Sequence, residues 1–281
     1  MIQQEQAHSN LSVGALCEAL DVSPSGYYAW RERDVSPRQQ ADAWLGNEIE
    51  QVFVESHRTY GSQRVYLALC ERGIRSSRKR VARLMRERGL RSVRARKRRV
   101  GLTKAGQSAY FVPTLLQQNF EARRINEKWV TDTTYIPTRE GWLYLVSVMD
   151  LFSRQVLGWA MGEQHDADLA TSALHMAIRR ARPSADLILH SDRGSEFANA
   201  KFHGRATQAK IRLSMSSTGN CYDNAPAESF FATVKPEAMP EGIFASRQEA
   251  RMALFDYIEV FYNRQRLHSG IGYARPVNRA A

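Results

Sequence analysis

The chain has 281 residues, 43% of them hydrophobic and 25% charged, with a formal net charge of +11. That length exceeds one typical domain and can bury a proper core, and the basic excess favours an anionic partner. No apolar run of roughly eighteen residues and no leader-like start appear, and Cys17, Cys70 and Cys221 lack zinc or disulfide spacing, which argues against a membrane span, a zinc module and a disulfide scaffold. A cytoplasmic protein with no membrane partner is expected.

In chain order, the first ten residues are polar. Ser12 is placed to cap a helix bearing Val13, Leu16, Cys17 and Leu20, and Ser23 with Pro24 starts a second helix bearing Tyr27, Tyr28 and Trp30. The pair reads either as a helix-turn-helix or as a hairpin that merely packs. A linking helix from Ala41 to Glu55 turns Ile49, Val52 and Phe53 inward; another from Ser62 carries Val65, Leu69 and Cys70 on one side and ends at Gly73. Ser77 then caps a helix whose inner face is Val81, Leu84 and Met85 and whose outer face is Arg78, Lys79, Arg80, Arg83, Arg86 and Arg88. Between Arg72 and Arg99 fourteen basic residues face one acid, Glu87, a local charge of +13 that exceeds the whole chain's +11. Such a stripe is either a solvated face or a grip on duplex phosphates, and the local self-repulsion favours the second.

Residues 1–100 are thus expected to form a helical DNA-binding region with two helix-turn-helix-like units, residues 101–125 a linker, and residues 126–281 a catalytic domain. Three strands open that domain: Lys128 to Pro137, Trp142 to Met149 and Arg154 to Met161, the second apolar enough to be buried on both faces. A helix from Asp166 to Arg182, a strand Leu187 to His190, a helix near Phe197 to Lys210, a strand Ile211 to Met215 and a helix from Pro226 follow. Ser246 and Glu249 make a capping box for a last helix with Ala250, Leu254, Tyr257, Ile258 and Phe261 inward. In the polar loop beyond it, Arg264, Arg266 and His268 either touch phosphate or cover the core.

Three acids stand where a fold would not need them. Asp132 lies inside the first strand, Asp192 just after the strand ending at His190, and Glu228 two residues after Pro226 at a helix start. Carboxylates converging from separated rigid elements suit hard divalent cations. Asp150, at a strand end before a turn, reads as a structural acid, and Glu196 competes with Glu228 as a ligand.

The spacing of these acids, with the phrases EKWVTDTTYI, LHSDRGSEF, GNCYDNAPAESFF and FYNRQRLHSGIGY in order, resembles the second-reading-frame transposases of the insertion-sequence family three type, over about Tyr60 to Pro276. The resemblance implies an α/β, ribonuclease-H-like mixed-sheet domain preceded by an all-α helix-turn-helix region. It also implies a DDE transposase that cleaves DNA and transfers the 3′-OH with two Mg²⁺ ions, Mn²⁺ being a substitute, held by Asp132, Asp192 and Glu228. Double-stranded DNA at element ends and target, a homo-oligomer on DNA, nucleoid association, and a partner or fusion with an upstream-frame product follow from it. On the same ground Lys235 is expected near the scissile phosphate and Asn224 in contact with DNA. Pro236, directly after Lys235, should end or kink the helix that carries both Glu228 and Lys235.

Overall fold

The structure, a computed structural model, describes residues 12–93, 112–217 and 224–280. Five helices come first: α1 (Val13–Ala19), α2 (Pro24–Arg31), α3 (Pro37–Glu55), α4 (Ser62–Glu71) and α5 (Arg78–Glu87). Four of them start where a serine hydroxyl accepts from an otherwise unpaired amide: Ser12 from Ala15, Ser23 from Gly26, Ser36 from Gln39 and Ser77 from Arg80. The linking helix begins at Pro37 rather than Ala41, because Ser36 and Gln39 close a capping box with Pro37 in the first helical position. In α4, Val65 and Leu69 share the buried face, but Cys70 is exposed, since only residues three or four apart lie on one side of a helix.

The second half is built on five strands: β1 (Lys128–Thr138), β2 (Gly141–Asp150), β3 (Val156–Gly162), β4 (Ile188–Ser191) and β5 (Arg212–Met215). Their order is β3-β2-β1-β4-β5, with the first three antiparallel and β4 and β5 parallel to β1. A three-stranded meander extended by parallel strands is the ribonuclease-H-like arrangement. Helices α6 (Ala167–Ala181), α7 (Ala200–Gln208), α8 (Ala225–Ala238) and α9 (Arg247–Phe255) complete it; α9 runs on into a π-helical turn, Asp256–Tyr262.

Strand alternation divides the core in two. On one face Trp129, Val146, Val148, Leu187 and Leu189 pack under α6 and α7. β3 lies so close to α6 that a Cβ on Gly158 would fall 2.2 Å from the Ala173 carbonyl oxygen, so only glycine fits there. On the other face Val130, Ile136, Leu143, Leu145 and Met149 pack under α8, α9 and the π-helical turn, in a cluster that continues into Leu45, Ile49, Val65, Leu69 and Leu84 of α3 to α5. The helical layer is tied to the C-terminal segment by Tyr60, whose hydroxyl donates to the Gln265 carbonyl and accepts from the Leu267 amide, and by Arg64, which donates to the Leu267 carbonyl.

Pro236 does not stop α8, which reaches Ala238. Although proline supplies no amide, the following Glu237 is held by Arg266 at 2.6 and 2.8 Å and by the Tyr257 hydroxyl at 2.7 Å, fixing the last turn from outside the helix. Arg266 and His268 therefore belong to the core, which decides between the two readings for these residues, while Arg264 is exposed.

Candidate active site

Asp132 sits in the middle of β1, Asp192 directly after β4, and Glu228 in the first turn of α8, where the helix dipole favours an acid. The two aspartates are set by their own backbone neighbours: Asp132 Oδ1 accepts from the Thr133 amide at 2.8 Å, and Asp192 Oδ1 from the Gly194 amide at 2.9 Å.

Asp192 acts on both of the other acids, and Glu228 on Asp132. Burial, then the charge of Asp192, and further the charges of Glu228 and Glu196 push Asp132 well above the usual carboxylate range, against the Thr133 hydrogen bond. Asp192 is raised by burial and by Glu196, with the Gly194 amide opposing; Glu228 is raised by burial and by Asp192. Among the described residues no three His, Cys, Asp or Glu side chains form a ready-made metal cluster. The acids are electrostatic neighbours in one site and are not drawn onto one point.

A fourth carboxylate belongs to the site. Glu196 is 4% exposed; its Oε1 accepts from Thr133 Oγ1 at 2.8 Å and bonds His165 Nε2 at 2.6 Å, while its Oε2 is buried with no hydrogen-bond partner among the described residues. A Cβ at Gly194 would lie 2.4 Å from that Oε2, so glycine lets the Asp192 turn and Glu196 come together. His165, in the loop between β3 and α6, had no signal in the sequence: it lies in a polar stretch without periodicity.

Two further sequence expectations are changed by the structure. Asn224 is buried, its amide donating to the Thr131 carbonyl at 3.4 Å, so as placed it supports β1 beside Asp132 instead of reaching outward to DNA; its loop partners 218–223 lie outside the described residues. Of the basic stripe, Arg80 and Arg83 share Asp42 of α3 at 2.6 and 2.7 Å, and Arg83 also meets Glu87 at 2.9 Å, so both are tied to acids of the fold. Arg78, Lys79 and Arg86 are exposed, and Lys79 with Arg38, Arg80 and Arg83 lines a groove of about 580 Å³. Asp150 has the structural role foreseen: it accepts from Ser153 and from the Asn126 amide and is buried. Lys235, seven residues after Glu228 on α8, is half-buried.

Sheet order and the succession of elements define an integrase-type core. The integrase core domain family matches residues 122–221, a second integrase core domain family residues 209–276, and an HTH-like domain family residues 39–98. The chain is 42% identical over 261 residues, 93% of this chain and 96% of the other, to the insertion element IS600 uncharacterized 31 kDa protein of Shigella sonnei. It is 38% identical over 277 residues, 97% of this chain and 95% of the other, to transposase InsF for insertion sequence IS3A of Escherichia coli. Among solved structures, the HTLV-2 integrase catalytic core domain in complex with magnesium aligns over 57% of this chain and all of that one, with a TM-score of 0.43 and 17% identity. The BIV integrase catalytic core aligns over 54% and 92%, with a TM-score of 0.40 and 17% identity. On the two bacterial relatives, the chain belongs to the IS3-type family of insertion-sequence transposases.

Proposed function

We propose that the protein cuts and joins DNA strands in insertion-sequence transposition, with Asp132, Asp192 and Glu228 as the acids at the reacting phosphodiester. The observation that carries this reading is the meeting of three separated segments: Asp132 lies in the field of Asp192 and Glu228, and Glu228 in that of Asp192, so the carboxylates share one place for a positive charge to neutralise. Oxygen-only donors and the unsatisfied Oε2 of nearby Glu196 fit a hard cation. When bound there, a pair of Mg²⁺ ions, or Mn²⁺ in their place, would supply Lewis-acid stabilisation of the attacking and leaving oxygens.

The chain's own residues supply position. β1 and the β4 turn hold Asp132 and Asp192 on rigid backbone, and α8 brings Glu228 over the sheet end. In the first reaction a water oxygen attacks a phosphorus at the element's 3′ end and the opposite P–O bond breaks, freeing a 3′-OH. In the second, that hydroxyl attacks another phosphodiester, forming one P–O bond as one is lost. Lys235 would meet the strand near the scissile phosphate, and Arg78, Lys79 and Arg86 would grip duplex backbone in the helical region of residues 1–100, joined by residues 101–125 to the catalytic part, 126–281. Two DNA ends must meet, so the working unit is a homo-oligomer on DNA, nucleoid-bound while it acts, with an upstream-frame product as partner or fusion.

A strand-transfer assay with labelled element-end DNA and Mg²⁺ tests this. Joined products that vanish with Asp192→Asn while DNA binding persists are expected. Cleavage without joining would make the protein a nuclease of the same fold, and mobilisation unaffected by Asp192→Asn would make it a non-catalytic DNA-binding regulator.

A further inference from the structure

The β1–β2 hairpin presents an aromatic surface that the chemistry above does not use. Across the hairpin, Thr133 faces Val146, Tyr135 faces Tyr144 and Pro137 faces Trp142, and alternation puts all six side chains on the same side of the sheet. Val146 lies in the core beneath α6. Further along the hairpin the cover ends: Tyr144 is half-buried, Tyr135 is 46% exposed and Trp142 is 53% exposed. The rings touch one another, with Tyr135 5.1 Å from Tyr144 and 6.1 Å from Trp142 between centroids. Both tyrosines also meet His165, which stacks on Tyr144 at 5.3 Å with an angle of 11° and lies 5.8 Å from Tyr135.

His165 in turn bonds Glu196, so the aromatic patch begins where the acid site ends. The Tyr135 hydroxyl lies within the field of Glu196 and Asp192. A stacked strand advances about 3.4 Å per nucleotide and β1 about 3.3 Å per residue, so Tyr135, three residues along β1 from Asp132, stands about three nucleotides from a phosphate at the acids, and Trp142, opposite Pro137, about five. Large apolar rings at this exposure are costly beside a polar, highly charged ligand unless they meet planar apolar surface, which a base paired within a duplex does not offer and an unpaired base does.

We propose that Tyr135 and Trp142, backed by Tyr144 and His165, form a stacking platform for unpaired nucleobases of the DNA strand next to the reacting phosphate. The proposal rests on the reading of Asp132, Asp192 and Glu228 as the reaction site. It gives the protein a preference for frayed or single-stranded ends over blunt duplex, largely independent of base identity, because every base has a π-face. Only the aromatic surface is needed for it, so the platform is separable from the chemistry.

The test uses the full chain and a short single strand carrying 2-aminopurine, whose fluorescence falls on stacking. Wild-type protein is expected to quench the probe and to bind it more tightly than the same sequence in a blunt duplex. Tyr135→Leu and Trp142→Leu should each weaken single-strand binding about tenfold and relieve the quenching, with duplex affinity and thermal midpoint unchanged; Tyr135→Phe should restore both readouts. Asp192→Asn should still quench. If it does so while wild-type protein neither cleaves nor joins DNA, the platform stands and the reaction assignment falls. Unchanged single-strand affinity and quenching in both leucine variants would overturn the platform. So would leucine variants that alter only the mass in light scattering, which would make the patch a contact between copies of the chain.

Discussion

Arg266 donates to both oxygens of Glu237, Nε to Oε2 at 2.8 Å and Nη2 to Oε1 at 2.6 Å, with each side chain only 7% exposed. The pair joins the last turn of α8, the helix of Glu228, to the loop after the π-helical turn. Arg266→Ala leaves a buried carboxylate unpaired and should cost roughly 3–5 kcal/mol in urea unfolding. The double variant Arg266→Met, Glu237→Leu should recover most of that loss, because no lone charge remains. If the single variant unfolds at the wild-type urea midpoint, the pair does not hold α8.

Asp132 carries an unfolding liability as well as a proposed function. Its folded-state proton affinity is raised above the unfolded value, so the favourable contribution is complete at low pH and is lost as pH rises through the folded value. Above the unfolded value the group therefore opposes folding, since the unfolded chain gives up the proton more readily. Asp132→Asn should raise the thermal midpoint of the metal-free protein while abolishing strand transfer, the trade expected of a site strained for function. Added Mg²⁺ or Mn²⁺ should raise the midpoint of wild type and leave that of Asp132→Asn nearly still. Equal metal-induced shifts in the two proteins would remove Asp132 from the ligand set.

Asp42 restrains part of the basic stripe by pairing with Arg80 and Arg83, whose hydrogen bonds, that of Arg83 first, hold its carboxyl below the usual range. Asp42→Asn should release Arg80 and leave Arg83 held only by Glu87, tighten duplex binding and steepen the dependence of log affinity on log salt by as much as about 0.9 for each new phosphate contact. Lys79→Gln and Arg86→Gln should each flatten that dependence by about one contact. An unchanged slope in all three variants would show that α5 does not face the backbone.

His268 titrates in the opposite sense to the acids. Burial first, then the nearby charge of Arg266, push it down from 6.5 to about 3, against the hydrogen bond it donates to the Tyr262 carbonyl. Because the unfolded chain binds the proton more readily, stability from this group is present above pH 6.5 and is lost as pH falls toward 3, by about 1.4 kcal/mol per pH unit. His268→Gln should fold less stably at pH 7 but show a shallower acid decline over that window. A parallel decline would rule out His268 as a source of acid sensitivity.

Local chemistry made most elements legible along the chain. Ser12, Ser23 and Ser77 announced helix starts because an unpaired amide needs an acceptor, and the apolar run of β2 announced a central strand because both of its faces are covered. Asp132, Asp192 and Glu228 stood out by the cost of placing charge in or beside apolar strands and by their spacing. What the sequence could not decide was partnership between distant segments. Whether Arg80 faces DNA or Asp42, whether Arg266 meets phosphate or Glu237, and whether Asn224 points out or toward Thr131 depend on which surfaces the fold presses together. His165 is the clearest case: an unremarkable residue in a polar loop, it gains its place only when β1, the β4 turn and the loop before α6 converge on Glu196. Helix caps and strand periodicity are set within a few residues and can be read there; the pairing of a buried charge is set by three-dimensional proximity, which only the folded chain supplies.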